Sequence, residues 1–219
     1  MARPVLSPHA GQPLTHAGRS LDDCRAAMIM VHGRSAAPRN MLDLVPSLDH
    51  PDFAYVAPAA AGHTWYPFSF MAETARNEPG IASGLSVLGT LVAELEQRGL
   101  TRERIVLLGF SQGACLTAEF AVRHAGRYGG VIVYSGGLIG PPGTTWEYPG
   151  TFDDTPVFMG CSDVDSHVPL ERVEESAGVF ARMGAVVDQR IYPAMGHLVN
   201  EDEIAATRMI MGRVAALRR

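Results

Sequence analysis

Gly109-Phe110-Ser111-Gln112-Gly113 is the segment of this chain best suited to do chemistry. A serine between two glycines can occupy a sharp turn from a strand into a helix, with its hydroxyl lifted clear of the sheet. The glycines allow close backbone approach, because no Cβ stands in the way. The pattern alone is unspecific. Its setting singles it out, since the apolar run Ile105–Leu108 precedes it and a helical pattern opens at Gln112–Gly113. A serine hydroxyl is a poor nucleophile without a base, so a histidine and an acid to orient it are required.

Of the histidines, His167 and His197 follow Ser111 at strand ends, whereas His124 lies on the helix behind the serine. His197 closes the loop Tyr192-Pro-Ala-Met-Gly-His197, just past a strand and with a glycine hinge. That is where a base must sit to reach the serine, and His197 is the candidate. His167 reads as a loop or pocket residue. For the acid, Gly160-Cys-Ser-Asp163-Val-Asp165-Ser-His-Val-Pro169 follows the run Val157–Met159. An acid here would orient the imidazole and stabilise the imidazolium. Asp163 and Asp165 compete, and Asp163, nearer the strand, could instead cap the turn. Spacing leaves the choice open.

Developing negative charge on a substrate oxygen needs two donors. The Gln112 amide at a helix N-terminus is one candidate; the Arg34 amide, in the loop Val31-His32-Gly33-Arg34-Ser35, is the other. His32 reads as a structural histidine at the strand end. His63, Trp65, Tyr66, Phe68 and Phe70 crowd the loop after the next strand. Loops after strand C-termini border the site in open α/β sheets, so His63, Trp65 and Tyr66 are expected to bind substrate. The charge of Arg34 would favour a substrate carrying negative charge.

These residues need a frame that brings strand ends together. Strands are expected at Ala26–Val31, Phe53–Ala57, Ile105–Leu108, Val131–Tyr134, Val157–Met159 and Val186–Tyr192, most of them apolar on both faces. Such strands belong to a mainly parallel sheet covered by helices. Met41, Leu44, Val45 and Leu48 share one helical face, and Ile81, Leu85, Leu88, Val92 and Leu95 form a longer stripe that stops at Gly99. A helix after Pro169 carries Val173, Ala177, Phe180 and Met183. The last opens at Asn200, with Glu203 completing a capping box and Arg218 and Arg219 at its end. Strand–helix alternation of this kind means α/β. Residues 58–79 and 136–155 read as long irregular loops, which in compact domains are usually functional or disordered.

The 219 residues suit a single domain, 1–219, with 47% hydrophobic and 19% charged residues. A net charge of −5 without a basic run argues against a nucleic-acid partner. Cys24, Cys115 and Cys161 are widely spaced and read as buried, reduced thiols. No stretch suits a membrane span, and the N-terminus lacks a leader's apolar region, so a cytoplasmic location is expected.

Together these pieces resemble the phospholipase/carboxylesterase family of α/β hydrolases, which includes bacterial carboxylesterases and acyl-protein thioesterases. The matching residues are His32-Gly33, Gly109-Phe-Ser-Gln-Gly113, Asp165-Ser-His-Val-Pro169 and Gly196-His197, in the family's order across most of the chain. The Asp-x-x-Val-Pro pattern aligns Asp165, not Asp163, with the family's acid. Family members often carry glycine two places after His-Gly, where this chain has Ser35. The resemblance implies an α/β-hydrolase fold without a cap domain and ester cleavage through Ser111, His197 and Asp165. It implies no metal or cofactor, and a small or accessible ester as substrate. Thioester, lactone or aryl-ester hydrolysis by the same triad is the enzymatic alternative. A ligand-binding protein that kept the fold without turnover is the non-enzymatic one. A homodimer is left open.

Overall fold

Runs of Val, Ile, Met and Ala form the centre of the sheet. In the computed structural model, which describes residues 7–48 and 50–218, these runs become β2 (Ala26–Val31), β3 (Phe53–Pro58), β4 (Ile105–Phe110), β5 (Gly130–Tyr134), β6 (Pro156–Ser162) and β7 (Val186–Tyr192). An additional strand, β1 (Leu14–Gly18), precedes them. The sheet order is β1-β3-β2-β4-β5-β6-β7. All neighbours are parallel except β1, which runs antiparallel to β3 with Leu14 opposite Pro58. β1 escapes notice in the sequence because Leu-Thr-His-Ala-Gly is a largely exposed edge strand with little apolar content. An edge strand has a backbone partner on one side only and needs no two-faced apolar pattern.

Each sheet face is covered by its own helices. α3 (Gly80–Gln97), α4 (Gln112–Arg123) and α5 (Leu170–Arg182) pack on one face, against Ile29, Val56, Leu107 and Val133 among others. The short α1 (Pro38–Leu42) and α2 (Val45–Leu48) and the carboxy-terminal α6 (Glu201–Ala215) pack on the other, over Met28, Met30, Leu108 and Phe158. The stripe of α3 and the apolar face of α5 are buried as expected. The single helix expected around Met41–Leu48 is two short helices, and of its four apolar residues only Met41 and Leu48 are fully buried. Asn200 caps α6 as expected, accepting the Glu203 amide while the Glu203 side chain accepts the Asn200 amide. That helix ends at Ala215, with Arg213 in its last turn, so Arg218 lies beyond it. Arg219 and residues 1–6, on which the expectation about a leader falls, lie outside the described residues.

The topology creates the site. From β2 the chain passes outward to β3, then returns to the other side of β2 as β4 and continues to β7. The strand order therefore reverses between β2 and β4, the switch point where open α/β sheets bind ligands beyond their strand C-termini. Register brings Val31, Gly109 and Val133 abreast, so the loops after β2 and β4 emerge side by side. The two long loops are ordered structure. Residues 58–79 bury Trp65, Tyr66, Phe70 and Asn77; residues 136–155 bury Leu138, Ile139, Trp146 and Phe152. The two loops are joined by Gly140 N–H donating to Phe70 O at 2.9 Å.

Candidate active site

Ser111 sits between the end of β4 and the first residue of α4, with φ 55° and ψ −120°. A non-glycine residue held there costs on the order of 1–3 kcal/mol and persists only when its surroundings enforce it. Here they do. Ser111 N–H donates to Tyr134 O at 2.9 Å, and Ser111 O accepts from Cys115 N–H at 3.0 Å. The flanking glycines permit the approach. A Cβ on Gly113 would stand 2.2 Å from Val31 O, and one on Gly109 would stand 2.4 Å from Gly113 O.

The Ser111 hydroxyl oxygen lies 2.8 Å from His197 Nε2, and His197 Nδ1 lies 2.7 Å from Asp165 Oδ2. Asp165 is closed off from solvent beneath the imidazole. Its Oδ1 accepts the amides of His167 and Val168 at 2.8 and 3.1 Å, and the Cys161 thiol donates to Oδ2 at 3.7 Å. Burial alone would raise this carboxyl; the His197 bond and the two amides outweigh it and hold Asp165 below the usual aspartate value. An ionised Asp165 accepts the hydrogen bond of His197 Nδ1–H, which leaves the Nε2 lone pair facing the serine.

Asp163 does not cap its own turn, where Ser162 Oγ accepts the Val164 amide; it bonds across to another loop. Its carboxylate accepts Ala194 N–H at 2.8 Å and pins the loop that carries His197. Ser162 Oγ accepts Gly196 N–H at 3.0 Å and braces the same loop. Nothing in the spacing pointed to Ser162; only its place at the end of β6 hints at such a role. The rings of Phe110 and His167 flank His197, with centroids 5.0 and 4.7 Å away. His167 is thus a pocket residue, as expected.

Across the serine, the loop after β2 places Gly33 so close that a Cβ there would lie 3.3 Å from Ser111 Cβ. Arg34 and Gln112 line the same cavity, and neither backbone amide has a hydrogen-bond partner among the described residues. Ser35 has φ 62°, the conformation that the family's glycine would adopt readily. Its amide donates to His63 O at 2.8 Å, and His63 Nδ1–H donates to Ala36 O at 3.0 Å. His32 is the structural histidine expected. It is buried, accepts Ala60 N–H at Nε2 and donates from Nδ1 to Gly33 O, and burial lowers its pKa.

The cavity over Ser111 has a volume of about 450 Å³. Tyr66, Phe68 and Phe70 line it, but Trp65 and His63 do not. Both are corrections to the expected substrate-binding set. Trp65 points into the core, where its indole N–H donates to His32 O at 2.9 Å and its ring packs beside His32. A tryptophan with a buried N–H needs such a partner, and the strand end supplies it. His63 is outside the cavity and buttresses the Arg34–Ala36 turn. The side chain of Gln112 has a role that spacing did not disclose. Its Oε1 accepts Trp65 N–H at 2.9 Å and its Nε2 donates to Tyr66 O at 2.8 Å, so α4 and the aromatic loop are locked together. Among the described residues no group of three His, Cys, Asp or Glu side chains could hold a metal ion, and no helix is long and apolar enough to cross a membrane.

A mainly parallel sheet flanked by helices, with a serine on the turn after its central strand, is the α/β-hydrolase fold. The family model described as Phospholipase/Carboxylesterase matches residues 19–211. A phospholipase/carboxylesterase from Dyadobacter fermentans is 37% identical, superposes with a TM-score of 0.89, and is matched over 96% of this chain and 99% of that one. The chain belongs to the phospholipase/carboxylesterase family. Acyl-protein thioesterase 1 of Kluyveromyces lactis is 30% identical over 57% of this chain and 56% of its own length. Its namesake from Gibberella zeae is 30% identical over 59% and 57%. The match thus spans little more than half the length of these curated relatives. The Bacillus cereus carboxylesterase shares the fold at 15% identity, with a TM-score of 0.73 over 94% of this chain and 95% of that one.

Proposed function

We propose that the protein is a serine hydrolase that cleaves carboxylic esters through an acyl-enzyme. The observation that carries this is the hydrogen-bonded chain from Ser111 Oγ through His197 to the solvent-shielded Asp165. In this reading His197 Nε2 takes the Ser111 proton as Oγ attacks the ester carbonyl. The unpartnered amides of Arg34 and Gln112 receive the developing oxyanion, with the N-terminus of α4 adding its dipole. His197 then protonates the departing alcohol. In the second half-reaction it activates water, which releases the acid and restores Ser111. Asp165 keeps Nδ1 protonated throughout and stabilises the imidazolium.

A pocket of this size, walled by Tyr66, Phe68, Phe70 and Phe110, suits a small acyl or aryl group. It lies toward the lower end of the range of about 300–1,000 Å³ typical of ligand pockets. Thioester cleavage by the same residues is the second reading, favoured by the acyl-protein thioesterases among the relatives. The test is kcat/KM on 4-nitrophenyl butyrate and on butyryl thiocholine, in wild type and Ser111→Ala. Turnover of the oxygen ester that disappears in the variant is expected. A Ser111→Ala protein that keeps full turnover would contradict the assignment.

A further inference from the structure

We infer that the ester recognised at this site carries an anionic group, a carboxylate on its acyl portion, held by the Arg34 guanidinium. The inference rests on the hydrolase reading above and names its substrate class. No residue lining the cavity over Ser111 carries a carboxylate, whereas Arg34, His167 and His197 all border it. Asp165 is shielded beneath His197. Arg34 thus gives the lining a fixed positive charge, opposite in sign to the chain's net charge of −5. A cleft lined by one sign of charge concentrates ligands of the other sign.

Arg34 is positioned rather than free to wander. Its Nη1 donates to Pro67 O at 2.9 Å and its Nη2 to Phe68 O at 2.7 Å. Neutral carbonyls hold the group without cancelling its charge, and it has no carboxylate partner among the described residues. A guanidinium has five N–H donors, so donors remain for a ligand. Arginine in a fixed fork is the side chain suited to grip a carboxylate. A second guanidinium, Arg76, lies 4.3 Å from the Phe68 ring centroid on the same loop.

The acyl side follows from the topology. The leaving oxygen must face His197, which comes from the loop after β7, with His167 beside it on the loop after β6. Arg34 comes from the loop after β2, on the opposite side of β4. A charge gripped there belongs to the part of the substrate that stays on Ser111.

The test compares kcat/KM for mono-4-nitrophenyl adipate and its methyl-capped diester, which differ only in the carboxylate, with spontaneous hydrolysis subtracted. Wild type is expected to favour the anionic ester by about tenfold at low salt, equal to about 1.4 kcal/mol. The preference should shrink as ionic strength rises. In Arg34→Gln the ratio should fall toward one, whatever happens to the neutral ester, and Arg34→Lys should keep part of it. A ratio near one in wild type, or one unchanged in Arg34→Gln, overturns the inference and leaves ester hydrolysis standing. If folded wild type turns over neither ester and resists a fluorophosphonate, the hydrolase reading itself fails.

Discussion

Asp165→Asn separates the two carboxylates that the sequence could not. In the native site Oδ1 accepts two amides, from His167 and Val168, and Oδ2 faces His197 Nδ1. An asparagine that keeps both amide bonds must place its carbonyl oxygen at the Oδ1 position. Its NH2 then points at Nδ1, which becomes an acceptor. The imidazole proton moves to Nε2, and Nε2 can no longer take the Ser111 proton. Loss of the correct tautomer at such a site costs about 10⁴-fold, near 5.5 kcal/mol. The asparagine can escape only by flipping, which sets its NH2 against two amide donors. Leaving the part-buried Val168 donor unsatisfied costs roughly 1–3 kcal/mol, so neither route is free. A fall in kcat of about 10²–10⁴ is expected, with melting temperature little changed. Asp163→Asn can still accept Ala194 N–H through its carbonyl oxygen, so a change of only a few-fold is expected. The assay is steady-state turnover of 4-nitrophenyl acetate, with circular dichroism to confirm folding. A folded Asp165→Asn protein within tenfold of wild type, or a larger loss in Asp163→Asn, would refute the reasoning.

Other expectations follow from individual contacts. Gly113→Ala sets a Cβ 2.2 Å from Val31 O; a loss of about 3 kcal/mol or more is expected by urea denaturation, because the clash is with backbone. Gly212→Ala, in α6 with open space around it, should instead gain about 0.5–1 kcal/mol. Trp65→Phe loses the indole bond to His32 O and leaves a void in the core, so stability should drop by about 2–4 kcal/mol with KM for a small ester nearly unchanged. A large rise in KM at unaltered stability would put Trp65 back in the pocket. Burial pushes the Glu203 carboxyl up to about 7, and its Oε1 has no partner among the described residues. Between the usual glutamate value and about 7 the folded state holds a proton that the unfolded chain has released, so rising pH removes stability. Relative to Glu203→Gln, wild type should lose about 2–3 kcal/mol between pH 5 and pH 8; no pH-dependent difference between the two would show that Glu203 is ordinary.

Much of this molecule was legible in its residues because two-faced apolar strands and stop signals are local patterns. The five inner strands, the α3 stripe ending near Gly99 and the Asn200 capping box all follow from such patterns, whereas the far-edge β7 has a polar middle and no fully buried residue. β1 was not legible, since a solvated edge strand is held by backbone bonds to β3 and carries no apolar signature. Ser111 and His197 could be named from the turn and loop in which they sit. The preference for Asp165 came from the family pattern, because distinguishing it from Asp163 requires knowing which carboxylate lies under the imidazole. Trp65 and His63 were misplaced for one reason: membership of a loop beside the site does not say which way a side chain faces. The Trp65 indole needed a buried acceptor and found the β2 end, and His63 turned to support the strained Ser35. The second task of Gln112, locking the aromatic loop to α4, depends on contacts some 46 residues distant in sequence.

Reaction of the folded protein with a fluorophosphonate, followed by peptide mass mapping, tests the central claim most directly. A single adduct on Ser111, absent from Ser111→Ala and strongly slowed in His197→Ala, is the expected result. A folded wild-type protein that takes no label, or takes it on another serine, would contradict the account.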